Sequence, residues 1–326
     1  SKGGLRDLHM ISWVANRYFG TSDLAELVEH GFLTISEYRA LIRHRDFLWR
    51  LRNGLHYLSG RCEDRLLFDH QQQLAQQLGY LGGENHLAVE RMMRDYYRTA
   101  KEMQLLNELL LQHFEEAILR SGRQRVRPIN ERFQSVGNII EAVHDNVFRD
   151  HPGALLEIFL LLLKRKGLSG IRASTVRLIR ANLDLIDGAF RRDPENRSLF
   201  LAMFHHQAGL SQVLRRMSAY GVLGRFFPDF GRIVGQMQHD LFHVYTVDAH
   251  SMFVVGNLQR LAEDGHRQEF PHLTNLLSQQ NSRERLFLAA LCHDLGKGSG
   301  RDHSEVGEEI ALRLCTNLGM SEYDAS

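Results

Sequence analysis

The chain has 326 residues, with 40 Lys+Arg against 39 Asp+Glu and a formal net charge of +1. So even a balance argues against a dedicated nucleic-acid binder, which carries a basic excess, and against a disordered acidic tail. Hydrophobic residues at 43% and charged residues at 24% are ordinary for a globular protein, and the length suits two or three domains at roughly 100–200 residues each.

Residues Ser1 to Asp7 hold no apolar signal core and no initiator Met, and read as the interior of a longer protein. Thr21-Ser-Asp23 offer an N-cap to a helix from Leu24 to His30, which Gly31 stops. Ser36-Glu37 open a second helix, with Leu41, Phe47, Leu48 and Leu51 as its apolar positions. The longest periodic stretch runs from Glu84 to about Leu119. There Leu87, Met92, Tyr96, Met103, Leu106, Leu109, Leu110 and Phe114 recur at steps of three and four. Gly122 and Pro128 close it.

The segment from Arg132 to Val143 is the one hairpin candidate, with Gly137-Asn138 as its two-residue turn. Helical patterning resumes at about 152–166, 172–190, 195–208 and 211–222. Gly224, Pro228, Gly231 and Gly235 make 224–243 less regular, as at a domain boundary. These patterns predict an all-α fold, over about 60% helix, with at most one short hairpin near 133–143. The longest apolar run, Ile158 to Leu163, is followed at once by Lys164-Arg-Lys166 and falls far short of the ~18 residues a membrane span needs. Three cysteines, Cys62, Cys292 and Cys315, cannot build a disulfide framework and fit a reducing compartment, so a cytoplasmic location is expected.

Three His-Asp dipeptides occur in the chain: His144-Asp145, His239-Asp240 and His293-Asp294. The first follows a candidate strand and reads as a pair of solvent-facing polar residues. The last ends an apolar helix, Leu286 to Cys292, where an imidazole and a carboxylate are costly unless something satisfies both. A divalent metal would do so. Upstream, Val247, His250, Val254, Leu258 and Leu261 fall on one helical stripe, which turns His250 toward an apolar interface. A lone His on such a face is more often a core residue than a ligand; the paired His293-Asp294 is what raises it to a ligand candidate. His303 opens the last helix and is placed to reach the same cleft. Lys297, in the loop Gly296-Lys-Gly-Ser-Gly300, reads either as a solvated loop lysine or as a cation for a phosphate oxygen. The Walker spacing of a phosphate loop is absent.

His250 followed by His293-Asp294 and Leu295-Gly-Lys297 resembles the HD superfamily of metal-dependent phosphohydrolases. Three strings, Gly3-Gly-Leu-Arg-Asp7, His243-Val-Tyr-Thr-Val-Asp-Ala-His250 and His293 through Gly307, resemble in order the bifunctional uridylyltransferase/uridylyl-removing enzymes of bacterial nitrogen sensing, the GlnD family. The resemblance runs the whole chain. It implies a nucleotidyltransferase tail at 1–20, a helical linking region at 21–235 with subdomains 21–122 and 123–235, and an HD domain at 236–326. The family's transferase carboxylates would lie before residue 1 and its two glutamine-sensing ACT domains after residue 326. The final Asp of the HD pattern is expected further along than Asp324.

The resemblance further implies hydrolysis of a phosphodiester, the removal of UMP from a tyrosine of the PII signal protein. His250, His293 and Asp294 would hold a divalent cation, Mg²⁺, Mn²⁺ or Fe²⁺. Lys297, Asp294 and His303 would be catalytic, with Lys297 neutralising phosphoryl charge and His303 binding phosphate or a second metal. Asp240, His243 and Asp248 stand behind these. His239 and His243 have ligand-pair spacing but fit packing or support of other ligands better. Two other readings stay open: a helical interaction scaffold with a structural HD cluster, and an HD hydrolase acting on a free nucleotide. Neither a nucleic acid nor a membrane is expected as partner.

Overall fold

The structure is a computed structural model that describes residues 2–21, 23–80, 85–118, 125–206, 208–237, 245–263, 266, 268–280, 282–298 and 302–321. Helix makes up 68% of the described residues. Contacts divide it into two compact units, 1–123 with 235–246 and 124–234 with 247–326. The first twenty residues therefore fold with the helices that follow them. Residues 124–234 share the second unit with 247–326.

The first unit holds α1 (Leu5–Phe19), α2 (Glu26–Glu29), α3 (Ile35–Ser59), α4 (Phe68–Gln77) and α5 (Asn85–Ile118). Thr34, not Ser36, caps α3: its side chain accepts from Glu37 N–H while the Glu37 carboxylate accepts from Thr34 N–H. This reciprocal box satisfies two otherwise orphaned donors. In the segment 24–31 only α2 is helical, with turns on either side, and Asp23 accepts from Ala25 N–H just before it. Ile11, Leu27, Leu41, Leu74, Met92, Met103 and Leu110 are fully buried in one core cluster. At α3 Gly54, a side chain would fall 2.6 Å from Leu74 Cδ1 and would push that leucine aside.

The second unit begins with a small sheet. Strands β1 (Val126–Pro128), β2 (Phe133–Val136) and β3 (Ile139–Ala142) are antiparallel, and β4 (Gly170–Ile171) adds parallel to β3. The expected hairpin is β2–β3, with Val136 opposite Ile139. Gly137 has φ +61° and Asn138 is not left-handed, the pattern of a type II′ turn. β1 and β4 were not foreseen; at three and two residues they are too short to show alternation. Behind the hairpin, the Arg132 guanidinium grips Glu157 at 2.6 and 3.0 Å.

The helices of this unit are α6 (Val147–Asp150), α7 (Ala154–Lys164), α8 (Ala173–Ala181), α9 (Gly188–Arg192), α10 (Pro194–Phe204), α11 (Leu210–Ala219), α12 (Val222–Phe226), α13 (Pro228–Ile233), α14 (Val247–Leu261), α15 (Pro271–Gln279), α16 (Arg283–Cys292) and α17 (His303–Asn317). The stretch 172–190 is not one helix. Asn182 ends α8, its amide donating to the Leu178 carbonyl, and Asp187 caps α9 through Phe190 N–H. Helix α14 packs against α11 and α16, and α10 also packs on α16. No described helix is long and apolar enough to cross a membrane.

Candidate metal centre

Helix α16 is driven inward by Phe287, Leu288, Ala290, Leu291 and Cys292, all buried. It stops at His293. The residues after it form consecutive turns, with Leu295 N–H donating to the Cys292 carbonyl and Lys297 N–H to the Asp294 carbonyl. Leu295 is buried and anchors this turn, which fixes Asp294 inward. Helix α14 brings His250 to the same place.

The phase of α14 differs from the expected stripe. Its buried face is Val247, Asp248, Ser251, Met252 and Val255, about one position off. His250 therefore sits at the edge of that face, with its side chain 40% exposed, and not inside an apolar interface. This rim position leaves the imidazole both packed and accessible.

Ligand-type atoms of His250, His293 and Asp294 lie within 4.8 Å of one another. His250 Nε2 is 3.6 Å and His293 Nε2 is 3.3 Å from Asp294 Oδ2. His293 Nδ1 lies 2.8 Å from the Ala290 carbonyl, which can only accept, so Nδ1 carries a proton. In the neutral ring this leaves the Nε2 lone pair facing Asp294, the orientation a metal-binding histidine takes. Asp294 Oδ2 is buried, with Lys297 Nζ 2.9 Å away. Two imidazole nitrogens and a buried carboxylate oxygen fit a divalent cation.

The charges agree with this picture. Burial alone would raise the Asp294 carboxyl, but the adjacent His293 and Lys297 outweigh it and hold it far below the usual carboxylate range. Asp294 in turn raises His293, helped by the Ala290 carbonyl and opposed by burial. The site is thus built around a permanent negative charge.

Lys297 reaches the cluster; His303 does not join it. His303 is exposed at the first position of α17, outside the three-donor group. Its backbone is nonetheless close, because a Cβ on Gly296 would fall 2.1 Å from the His303 carbonyl oxygen. Asp248 is 2% exposed in the first turn of α14 and is also outside the group. His239, Asp240, His243 and Asp324 lie outside the described residues. His144 and Asp145 are exposed, as expected. The residues not foreseen are Ala290, whose carbonyl orients His293, and Gly296, whose missing side chain admits α17.

Residues 1–111 match the family model of the GlnD PII-uridylyltransferase, 133–226 that of the uridylyltransferase GlnD third domain, and 247–323 that of the HD domain. The chain belongs to the GlnD family. It is 51% identical over 324 residues to the bifunctional uridylyltransferase/uridylyl-removing enzyme of Nitrosococcus oceani. Identity to the enzymes of that name from Azotobacter vinelandii and Methylococcus capsulatus is 50% over 325 and 52% over 314 residues. These alignments cover 99%, 99% and 96% of the chain, which spans 36% of the length of each of the three GlnD relatives.

Proposed function

We propose that the second unit carries the uridylyl-removing activity named in these relatives: hydrolysis of the phosphodiester that links UMP to the PII signal protein. The observation that carries this reading is the convergence of His250, His293 and Asp294 at the end of a buried helix, around one buried carboxylate oxygen. A divalent cation, Mg²⁺, Mn²⁺ or Fe²⁺, bound there would polarise a phosphoryl oxygen and acidify a water molecule. Asp294 supplies the fixed negative charge that retains such a cation. His250 and His293 supply neutral nitrogens. Their side chains, 40% and 37% exposed, leave the site open to a phosphodiester presented on a protein surface.

Lys297 has the chemistry to hold a phosphoryl oxygen and to offset charge that develops on it. His303, at the exposed start of α17, is the second candidate for the same duty. The transferase reaction, the UMP product, glutamine control and a cytoplasmic setting come with the family reading. Release of UMP from uridylylated PII, compared with hydrolysis of free nucleotides such as guanosine polyphosphates, tests it. Release of UMP from the protein conjugate in preference to free nucleotide is expected. Hydrolysis of free nucleotide alone would reassign the substrate, and no hydrolysis of either would favour a scaffold.

A further inference from the structure

The three nitrogen centres around Asp294 converge on one oxygen. Lys297 Nζ is 2.9 Å from Oδ2, His293 Nε2 3.3 Å and His250 Nε2 3.6 Å. The lysine is the closest of them, and its side chain is nearly as buried as the carboxylate, 11% against 9% exposed. An ammonium so enclosed has given up most of its hydration and needs a counter-charge. The lysine carries its charge as a point on a flexible four-carbon stem, which can be re-aimed.

Any divalent cation bound by His250, His293 and Asp294 needs that same oxygen. Cation and ammonium cannot both keep it: they repel, and the cation carries the greater charge. Lys297 stands in a turn, not a helix, and is followed by Gly298 at φ +75°. We propose that Lys297 is a displaceable internal counter-ion, which neutralises Asp294 until a divalent cation takes Oδ2 and then swings its ammonium out toward the phosphate side of the site. Resting on the metal reading above, this couples loading of the cation to the presentation of an anion-binding lysine. An unloaded site keeps its lysine withdrawn and grips phosphate poorly.

The test is Mn²⁺ binding by titration calorimetry to the wild type, Lys297→Met and Lys297→Arg. With the competing charge removed, Lys297→Met binds Mn²⁺ at least tenfold more tightly, while Lys297→Arg stays within about threefold of wild type. The metal-free melting temperature of Lys297→Met falls, since buried Asp294 loses its nearest cation, and Mn²⁺ raises it by more than in wild type. In the wild-type protein, amine labelling read by mass spectrometry shows Lys297 becoming several-fold more reactive when Mn²⁺ is added, a readout that holds even if the methionine variant fails to fold. Equal or weaker Mn²⁺ binding by Lys297→Met, or Lys297 labelling unchanged or reduced by Mn²⁺, overturns the counter-ion and leaves the metal site standing. Absence of Mn²⁺ binding in the wild type and both variants overturns the metal site itself.

Discussion

Gly296 and His303 touch through their backbones: a methyl group on the Gly296 Cα would fall 2.1 Å from the His303 carbonyl oxygen and 2.7 Å from Gly307 N. This contact seats the start of α17 on the turn that holds Asp294 and Lys297. Replacement by alanine leaves no flexible side chain to move aside, only backbone. Gly296→Ala is expected to cost about 1–3 kcal/mol, the range for overpacking, and to loosen Mn²⁺ binding by pushing the Asp294 turn from α17. Gly170→Ala, where nothing lies within 4 Å, is the neutral control. Thermal melting and Mn²⁺ titration of both variants check this; a Gly296→Ala protein that melts and binds like wild type would refute it.

Asp302 caps α17, accepting from the N–H groups of Ser304 and Glu305, and these hydrogen bonds hold its carboxyl below the ordinary value. A carboxyl lowered by folding stabilises the protein above its unfolded value of about 3.9. That contribution is lost as pH falls through the lower folded value. Asp302→Asn keeps an acceptor oxygen but removes the charge. Melting temperature followed from pH 6 down to pH 3 should fall less steeply for the variant. An identical slope would show that this cap has no part in acid unfolding.

Of the three thiols, Cys62 is exposed while Cys292 and Cys315 are buried, and burial pushes the Cys292 thiol well up. Only the thiolate attacks a disulfide reagent. One equivalent of aromatic disulfide reagent is therefore expected to react rapidly in the native protein, at Cys62, and two more only after denaturation. Fast native labelling of Cys292, located by mass spectrometry, would contradict the packing of α16 and α17.

Much of this fold is legible in the sequence where one face of a helix carries the apolar residues. The periodicity from Glu84 to Leu119 corresponds to α5, Asn85–Ile118, because Met92, Met103 and Leu110 all face one core. The Gly137 turn is legible because its left-handed φ favours glycine. β4 is not legible: two residues owe their strand state to β3 alone. On α14 the apolar residues surround the helix, so Val254 and Leu258 compete with Met252 and Val255, and the phase read from the sequence is one step off. The convergence of His250 with His293-Asp294 is legible because a charged pair ending an apolar helix demands partners. The roles of Ala290 and Gly296 rest on a carbonyl and on a missing Cβ, which become specific only when the chain is folded.

On the function proposed above, Asp294 retains a cation whose charge drives hydrolysis. The most direct test of this is the rate of UMP release from uridylylated PII in Mn²⁺, measured for wild type and Asp294→Asn on preparations matched by their melting curves. Asparagine keeps the shape and removes the charge that the site is built around. A loss of at least about a hundredfold in rate is expected, in line with losing a metal-activated water, with the variant still folded. Full hydrolysis by a folded Asp294→Asn protein would contradict it.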